Sequence, residues 1–540
     1  MSETAYYNGR VYTSDKDRPV AQAFIVCDGR FKEVGDNNIS RGCENKVDLK
    51  GQCVIPGLVD SHCHMFAGIT EADMDIIYVD SSTKPSELGR MLSELAGEKE
   101  YEEGETIAAM GIDLTRGEFS AENIDGYISD HPVIVFSDDG HALLLNSKAM
   151  ETLGIDENTK DPGEHSYFAR NGSGIPTGLV IEIPAMMQCK KLLANKKSNP
   201  SEILKLLSKQ YASYGYTTVF EAMSSDSEDD GLFEVLKNLS DRNELKLRIS
   251  TSFCYHGEDG VDPETAIKIL RTLRDSYSGT VVFNNTLKII VDGTIEEHSA
   301  LLYEPYSDSK GSCGNLMIPE ADMERIIRMA GDAGFNIHVH AIGDRAAGIA
   351  LRILNSLGEI SGTKTIAHNQ LYGNEEIKAI TGTRDIFFQT TPHWVEADDF
   401  TFNALGKKRY EMQFPMHTMI KNDVPVSFGS DSCLDENTAD PFRGMYFAVS
   451  RGEASSGDMC FPPKSEGISR EEALLAYTIN GARQLKLSSE TGSIEEGKSA
   501  DFVILDRDIM NCTLEELKTT SVKKTFFHGE QVYGTGVQSD

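Results

Sequence analysis

The chain has 540 residues, 39% of them hydrophobic, which is enough for a large core and for more than one domain. Its net charge of −33, from 85 Asp and Glu against 52 Lys and Arg, argues against nucleic acid or an anionic membrane as partner. No apolar run reaches the length of a bilayer span, and the ten cysteines never form C-x-x-C, so reduced thiols and a cytoplasmic setting are expected.

The first ten residues lack the basic and apolar segments of a signal peptide. Residues 11–12 and 23–27 then read as short strands, with Asn8-Gly9 and Asp28-Gly29 as hairpin turns. The far end has the same texture, in residues 500–505, 523–527 and 531–533. These two ends predict one small β-sandwich domain composed of residues 1–56 and 485–540.

Between them, residues 57–484 alternate strand-like and helix-like patterns. The predicted strands are 58–64, 217–223, 245–253, 287–292, 336–341, 365–368, 386–390 and 424–429. Several are near-continuous apolar runs, as expected of strands covered on both faces. Helices fall between them: Pro200 opens one that Gly215 closes, another runs over 320–333 before Gly334, and Ser469 with Glu472 forms a capping box for a helix over 471–480. Eight such units predict an α/β fold, a (β/α)8 TIM barrel. The gap from His64 to Thr217 exceeds what one crossover needs, so a subdomain inserted at about 70–200 is expected, with a strand at 132–136 and a short helix at 147–153.

Chemistry in such barrels gathers where strands end. The first strand runs through Pro56-Gly57 into His62-Cys63-His64, and alternation points His62 and His64 the same way. They are either two surface histidines or a metal pair. The fourth strand carries Lys288 in an apolar run, and the fifth, sixth and eighth end in His340, His368 and Asp431. Singly, His368 reads as a structural histidine and Asp431 as a helix cap. Together, at matching strand ends, they predict a metal centre. His338, two residues before His340, reads as a core histidine or one supporting a ligand. Asp292, Asp344 and Asn369 stand beside ligand positions and are expected to orient them.

These residues resemble those of the amidohydrolase superfamily of metal-dependent hydrolases over nearly the whole chain. The branch most similar is the amidohydrolase-3 or YtcJ-like group, which includes N-substituted formamide deformylases. The further marks are Asp139-Gly140-His141 with Asn146-Ser147, Lys288 to Gly293, His338 to Ala346, Thr478 to Arg483 and Gly492 to Asp501. The resemblance implies a carboxylated Lys288 bridging two divalent metal ions, one held by His62 and His64 and the other by His340 and His368, with Asp431 at the metal edge. Zinc is the expected ion, although imidazole and carboxylate also suit iron or manganese. A metal-activated hydroxide would attack a substrate carbonyl, with Asp431 as general base and then proton donor to the leaving amine. His141 and His298 are candidates for substrate contact. Two departures alter the surroundings: Glu296-Glu297-His298 follows strand four, and Glu221-Ala222 ends strand two where the family often carries Asp.

The expected activity is hydrolysis of an amide-type C–N bond in an N-acyl or N-formyl amine. A ring deaminase and a non-catalytic interaction protein on the same barrel are the alternatives; Lys288 counts against the first and the complete ligand set against the second. The expected partner is a small-molecule substrate, with no nucleic acid and no membrane, and a homodimer is compatible with the chain.

Overall fold

The computed structural model describes residues 3–535 apart from 75, 98–100, 102–103, 115–116, 139, 164–165, 190–191, 193–198, 225–230, 258–260, 310, 382–384, 396–398, 435–437 and 453–462. Eight parallel strands form one sheet in chain order: β1 (Leu58–Cys63), β2 (Tyr216–Glu221), β3 (Arg248–Tyr255), β4 (Val282–Ile290), β5 (Asn336–Ala341), β6 (Lys364–His368), β7 (Ile386–Thr390) and β8 (Val426–Phe428). All but β4 are buried along their full length, as strands lined by helices outside and side chains inside must be. The seam between β8 and β1 closes through the Asp431 N–H, which donates to the His62 carbonyl at 2.8 Å, and the His64 N–H, which donates to Ser432 at 3.0 Å. Only glycine fits at position 429, because a Cβ there would lie 2.5 Å from the His62 nitrogen.

Helices connect the strands, and their apolar stripes cause the packing. Pro263–Tyr277, for example, is capped by Asp262 accepting from the Thr265 N–H and buries Ala266, Ile267, Leu270 and Leu273. The expected helix over 471–480 is instead two, Arg470–Ala476 with its Ser469–Glu472 capping box and Ile479–Gln484, because Thr478 leaves helical geometry at φ −130°, ψ −99°.

The two ends of the chain share a β-sandwich. One sheet holds Arg30–Gly35, Ala23–Cys27, Glu3–Tyr7 and Asn45–Asp48; the other joins the C-terminal Glu530–Tyr533, Val522–Phe527 and Phe502–Leu505 to the N-terminal Cys53–Pro56, Arg10–Tyr12 and Val20–Ala21. Asp28-Gly29 is a two-residue hairpin turn, with Cys27 opposite Arg30. Asn8-Gly9 is not a hairpin: the strands on either side of it enter different sheets. Between the sheets, Phe502 stacks on Phe526 at 4.2 Å and Tyr6 on Phe24 at 5.0 Å.

Residues 67–199 with 256–261 form a separate unit. Its six-stranded sheet has the order Tyr167–Arg170, Pro176–Ile181, Ala142–Leu145, Val133–Ser137, Ile107–Ile112, Ile77–Tyr78. Alternation divides its apolar residues between two cores: Ile107, Val133, Val135 and Leu144 face one way, and Ala108, Ile134, Leu143 and Leu145 the other. The short helix is Ser147–Leu153, capped by Asn146. Among the described residues, no helix is long and apolar enough to cross a membrane.

Candidate metal centre

His62, near the end of β1, is fully buried, and His64, just past that strand, is about a quarter exposed. Asp431 follows β8 and reaches back between them: its Oδ1 lies 3.3 Å from His62 Nε2 and 2.9 Å from His64 Nε2. Its Oδ2 lies 3.2 Å from Nδ1 of His368, the last residue of β6. Ligand atoms of His62, His368 and Asp431 all fall within 4.8 Å of one another. His368 Nε2 is buried without a hydrogen-bond partner, and His62 Nε2 and His368 Nδ1 face the Asp431 oxygens without hydrogen-bond geometry. Buried nitrogens that converge on a carboxylate without hydrogen-bond geometry fit a divalent cation.

The electrostatics agree. Burial holds the His62 and His368 imidazoles below their usual pKa, leaving the neutral form that ligates metals. Burial works to raise Asp431, but protonation of the rings around it, His368 and His62 foremost, would draw it down, and the carboxyl lies well below its usual range.

Three further positions expected in the site lie close by. The His340 ring is 4.3 Å from that of His368, with its Nε2 turned to the Gly293 carbonyl at 3.4 Å. His338 places Nε2 3.0 Å from His62 Nδ1. Lys288 is buried and pairs in register with Cys254 on β3 and His338 on β5; burial pushes its ammonium down to about 8.

Asp292 receives the backbone N–H groups of Leu301, Ile342 and Gly343 at 2.8, 3.0 and 2.9 Å, bracing the ends of β4 and β5. Asn369 donates to the Gln389 carbonyl at 2.6 Å, beside His368. Asp344 accepts from the Tyr303 and Arg345 N–H groups, and burial raises its pKa. Glu221 also stabilises a loop, accepting from the Phe66 and Met223 N–H groups at 2.7 and 3.0 Å.

The two candidates for substrate contact have other partners. His298 lies 2.8 Å from Asp308 and packs on Tyr306. His141 belongs to the 67–199 unit, where its Nδ1 is 2.9 Å from buried Glu182. Asp139 lies outside the described residues.

Three residues at the site were given no role from sequence, although Asp60 belongs to the Pro56-to-Asp60 lead into His62 that carries the family resemblance. Asp60, buried behind His62, accepts from Ser430 N and Oγ at 3.0 and 2.6 Å, and burial raises it to about 7. Gln389 on β7 places Oε1 3.2 Å from His62 Nδ1. Trp394, the chain's single tryptophan, stacks on His368 at 5.4 Å with planes 8° apart. A polar residue inside the apolar run of β7 was the available signal for Gln389.

Residues 46–533 match the model of the amidohydrolase family. The chain belongs to that family. This amidohydrolase is 29% identical to the exoenzymes regulatory protein AepA of Pectobacterium carotovorum, over 79% of this chain and 93% of that one. It is 25% identical to the N-substituted formamide deformylase of Arthrobacter pascens over 98% of both chains. In fold it is similar to the crystal structure of an uncharacterized metal-dependent hydrolase from Pyrococcus horikoshii, with TM-score 0.73 and 22% identity over 95% of this chain and 99% of the other. The family is metal-dependent, in keeping with the His62, His368 and Asp431 group.

Proposed function

We propose that this amidohydrolase cleaves an amide-type C–N bond in a small N-acyl or N-formyl amine, using two divalent ions, zinc by preference. The observation that carries the proposal is the convergence of buried imidazole nitrogens on the Asp431 carboxylate. Similarity to a formamide deformylase over 98% of both chains supports the choice of bond. His62, His64 and Asp431 would hold one ion. His340 and His368 would hold the other, with Lys288 bridging as its carbamate. Bound there, the ions would supply Lewis acidity, lowering the pKa of a water and polarising a carbonyl.

The chain's own residues account for the rest. Asp431, whose carboxyl lies well below its usual range and is therefore ionised, accepts a proton from water at a carboxylate oxygen as the water oxygen bonds to the carbonyl carbon. It returns that proton to the nitrogen as the C–N bond breaks, so an acid and an amine leave. Lys288, pushed down to about 8, has a neutral-amine fraction near physiological pH. That amine adds carbon dioxide and loses a proton, giving an anionic carbamate.

Elemental analysis of protein purified without chelator and with added zinc should find metal. Trp394 emission should change on zinc addition because its ring lies on His368. A screen of N-formyl and N-acyl amines should then yield turnover. No metal in that preparation would refute the proposal. Metal without turnover across the screen would favour the second reading that the AepA similarity supports, regulation without catalysis.

A further inference from the structure

We infer that Gln389 is the residue that selects the ligand atom of His62, by fixing a proton on its Nδ1 and leaving Nε2 for the metal. The inference rests on the proposed metal centre but concerns a residue to which no role has been assigned.

Two groups compete for His62 Nδ1. Gln389 Oε1 lies 3.2 Å from it, and His338 Nε2 lies 3.0 Å from it. If His338 were the donor, His62 Nδ1 would be the acceptor and the His62 proton would sit on Nε2. The nitrogen facing Asp431 at 3.3 Å would then carry hydrogen and could not ligate. If His62 is the donor, its Nδ1–H points to Gln389 and Nε2 keeps its lone pair.

The backbone decides between them. The N–H of His368 donates to the same Gln389 Oε1 at 3.3 Å. Turning the amide over would put its NH2 group against that N–H, donor against donor, so the oxygen stays where it is. A lone pair on His62 Nδ1 would then face a carbonyl lone pair at 3.2 Å, which is repulsive. Only a proton on Nδ1 satisfies both contacts, and His338 is left to accept. Burial keeps the Gln389 amide from solvent, and Asn369 fixes its backbone by donating to the Gln389 carbonyl. One amide oxygen therefore receives hydrogens from the first candidate ligand on β1 and from the backbone of another on β6. Such support from behind a ligating histidine typically changes metal affinity about 10–100-fold.

The test is zinc affinity of the full chain, measured by competition with a chelating dye, alongside thermal melting. Gln389→Met keeps the length but removes the acceptor; it should weaken zinc about 10–100-fold with melting near wild type. Gln389→Glu accepts the same two hydrogens and should bind zinc at least as tightly as wild type. Gln389→Met with wild-type affinity would overturn the inference, as would Gln389→Glu losing as much as Gln389→Met. Should Gln389→Met not fold, Gln389→Glu decides alone: affinity below about a tenth of wild type overturns it. Wild-type protein that binds no zinc is a different result, and refutes the metal centre itself.

Discussion

Asp431 and His368 both stand in left-handed backbone, at φ +53° and +69°. Each such non-glycine conformation costs about 1–3 kcal/mol and persists only where its surroundings enforce it. Here Asp60 grips Ser430 through two hydrogen bonds, and the Thr390 hydroxyl holds the His368 carbonyl, so the turns that aim the two side chains are tied from both sides. Asp431→Asn keeps the shape but cannot accept a proton. It should lower turnover about 10²–10⁴-fold while melting changes little, and a near-native rate would remove Asp431 from proton transfer. Lys288→Ala should lose one or both ions and nearly all activity, with partial recovery when small carboxylates such as acetate are added. Undiminished metal content in that variant would show that no bridge passes through Lys288. The histidines, Lys288 and Asp431 were legible in sequence because each is a polar residue in or at the end of an apolar run. Asp60 and Gln389 are likewise polar residues in apolar runs, but their roles were not legible, because these lie in partners such as Ser430 and His62, hundreds of positions away in the chain.

At the scale of elements, the barrel strands were readable to the extent that both their faces are buried. β5 and β7 coincide with their apolar runs. β4 begins five residues before its expected start, at Val282 rather than Leu287. Its first half reads Phe283-Asn284-Asn285-Thr286, which looks like a loop, yet Asn284 accepts from Thr251 at 2.6 Å and donates to the Leu273 carbonyl. A satisfied interior amide behaves as a strand residue, and no local pattern announces it. Asn8-Gly9 failed in the opposite sense. The dipeptide has the backbone of a tight turn, with φ +60° at Asn8, but the sandwich uses it to pass from one sheet to the other. In the inserted unit, Asn171-Gly172 was an unused signal: Tyr167–Arg170 and Pro176–Ile181 pair antiparallel around it.

At the scale of the molecule, the sandwich and the barrel are joined by a buried ion pair. Arg248, at the start of β3, donates to Asp501 at 2.8 Å and to Thr218 at 3.1 Å, and both charged side chains are 1% exposed. Asp501 also receives the Thr491 and Ser499 hydroxyls and the His528 N–H, and Phe527 lies 5.1 Å from the guanidinium. The returning C-terminal segment is thereby pinned to the floor of the barrel that carries the metal site. Removing one partner of a buried pair strands the other charge, at a cost of about 3–5 kcal/mol, so Asp501→Asn should be strongly destabilised in urea at pH 7. The pH dependence has a definite sign. Burial raises the Asp501 carboxyl, but Arg248 and the hydrogen bonds outweigh it and leave the folded-state pKa below the ordinary value. A carboxylate depressed in this way contributes its full stability above the unfolded pKa, about 3.9, and loses it as pH falls through the folded pKa. The wild-type advantage over Asp501→Asn should therefore hold from pH 7 to about 5 and shrink progressively below about 4. A constant gap between the two proteins from neutral pH to the acid limit of folding would mean that Asp501 stabilises the joint by shape and hydrogen bonding rather than by charge.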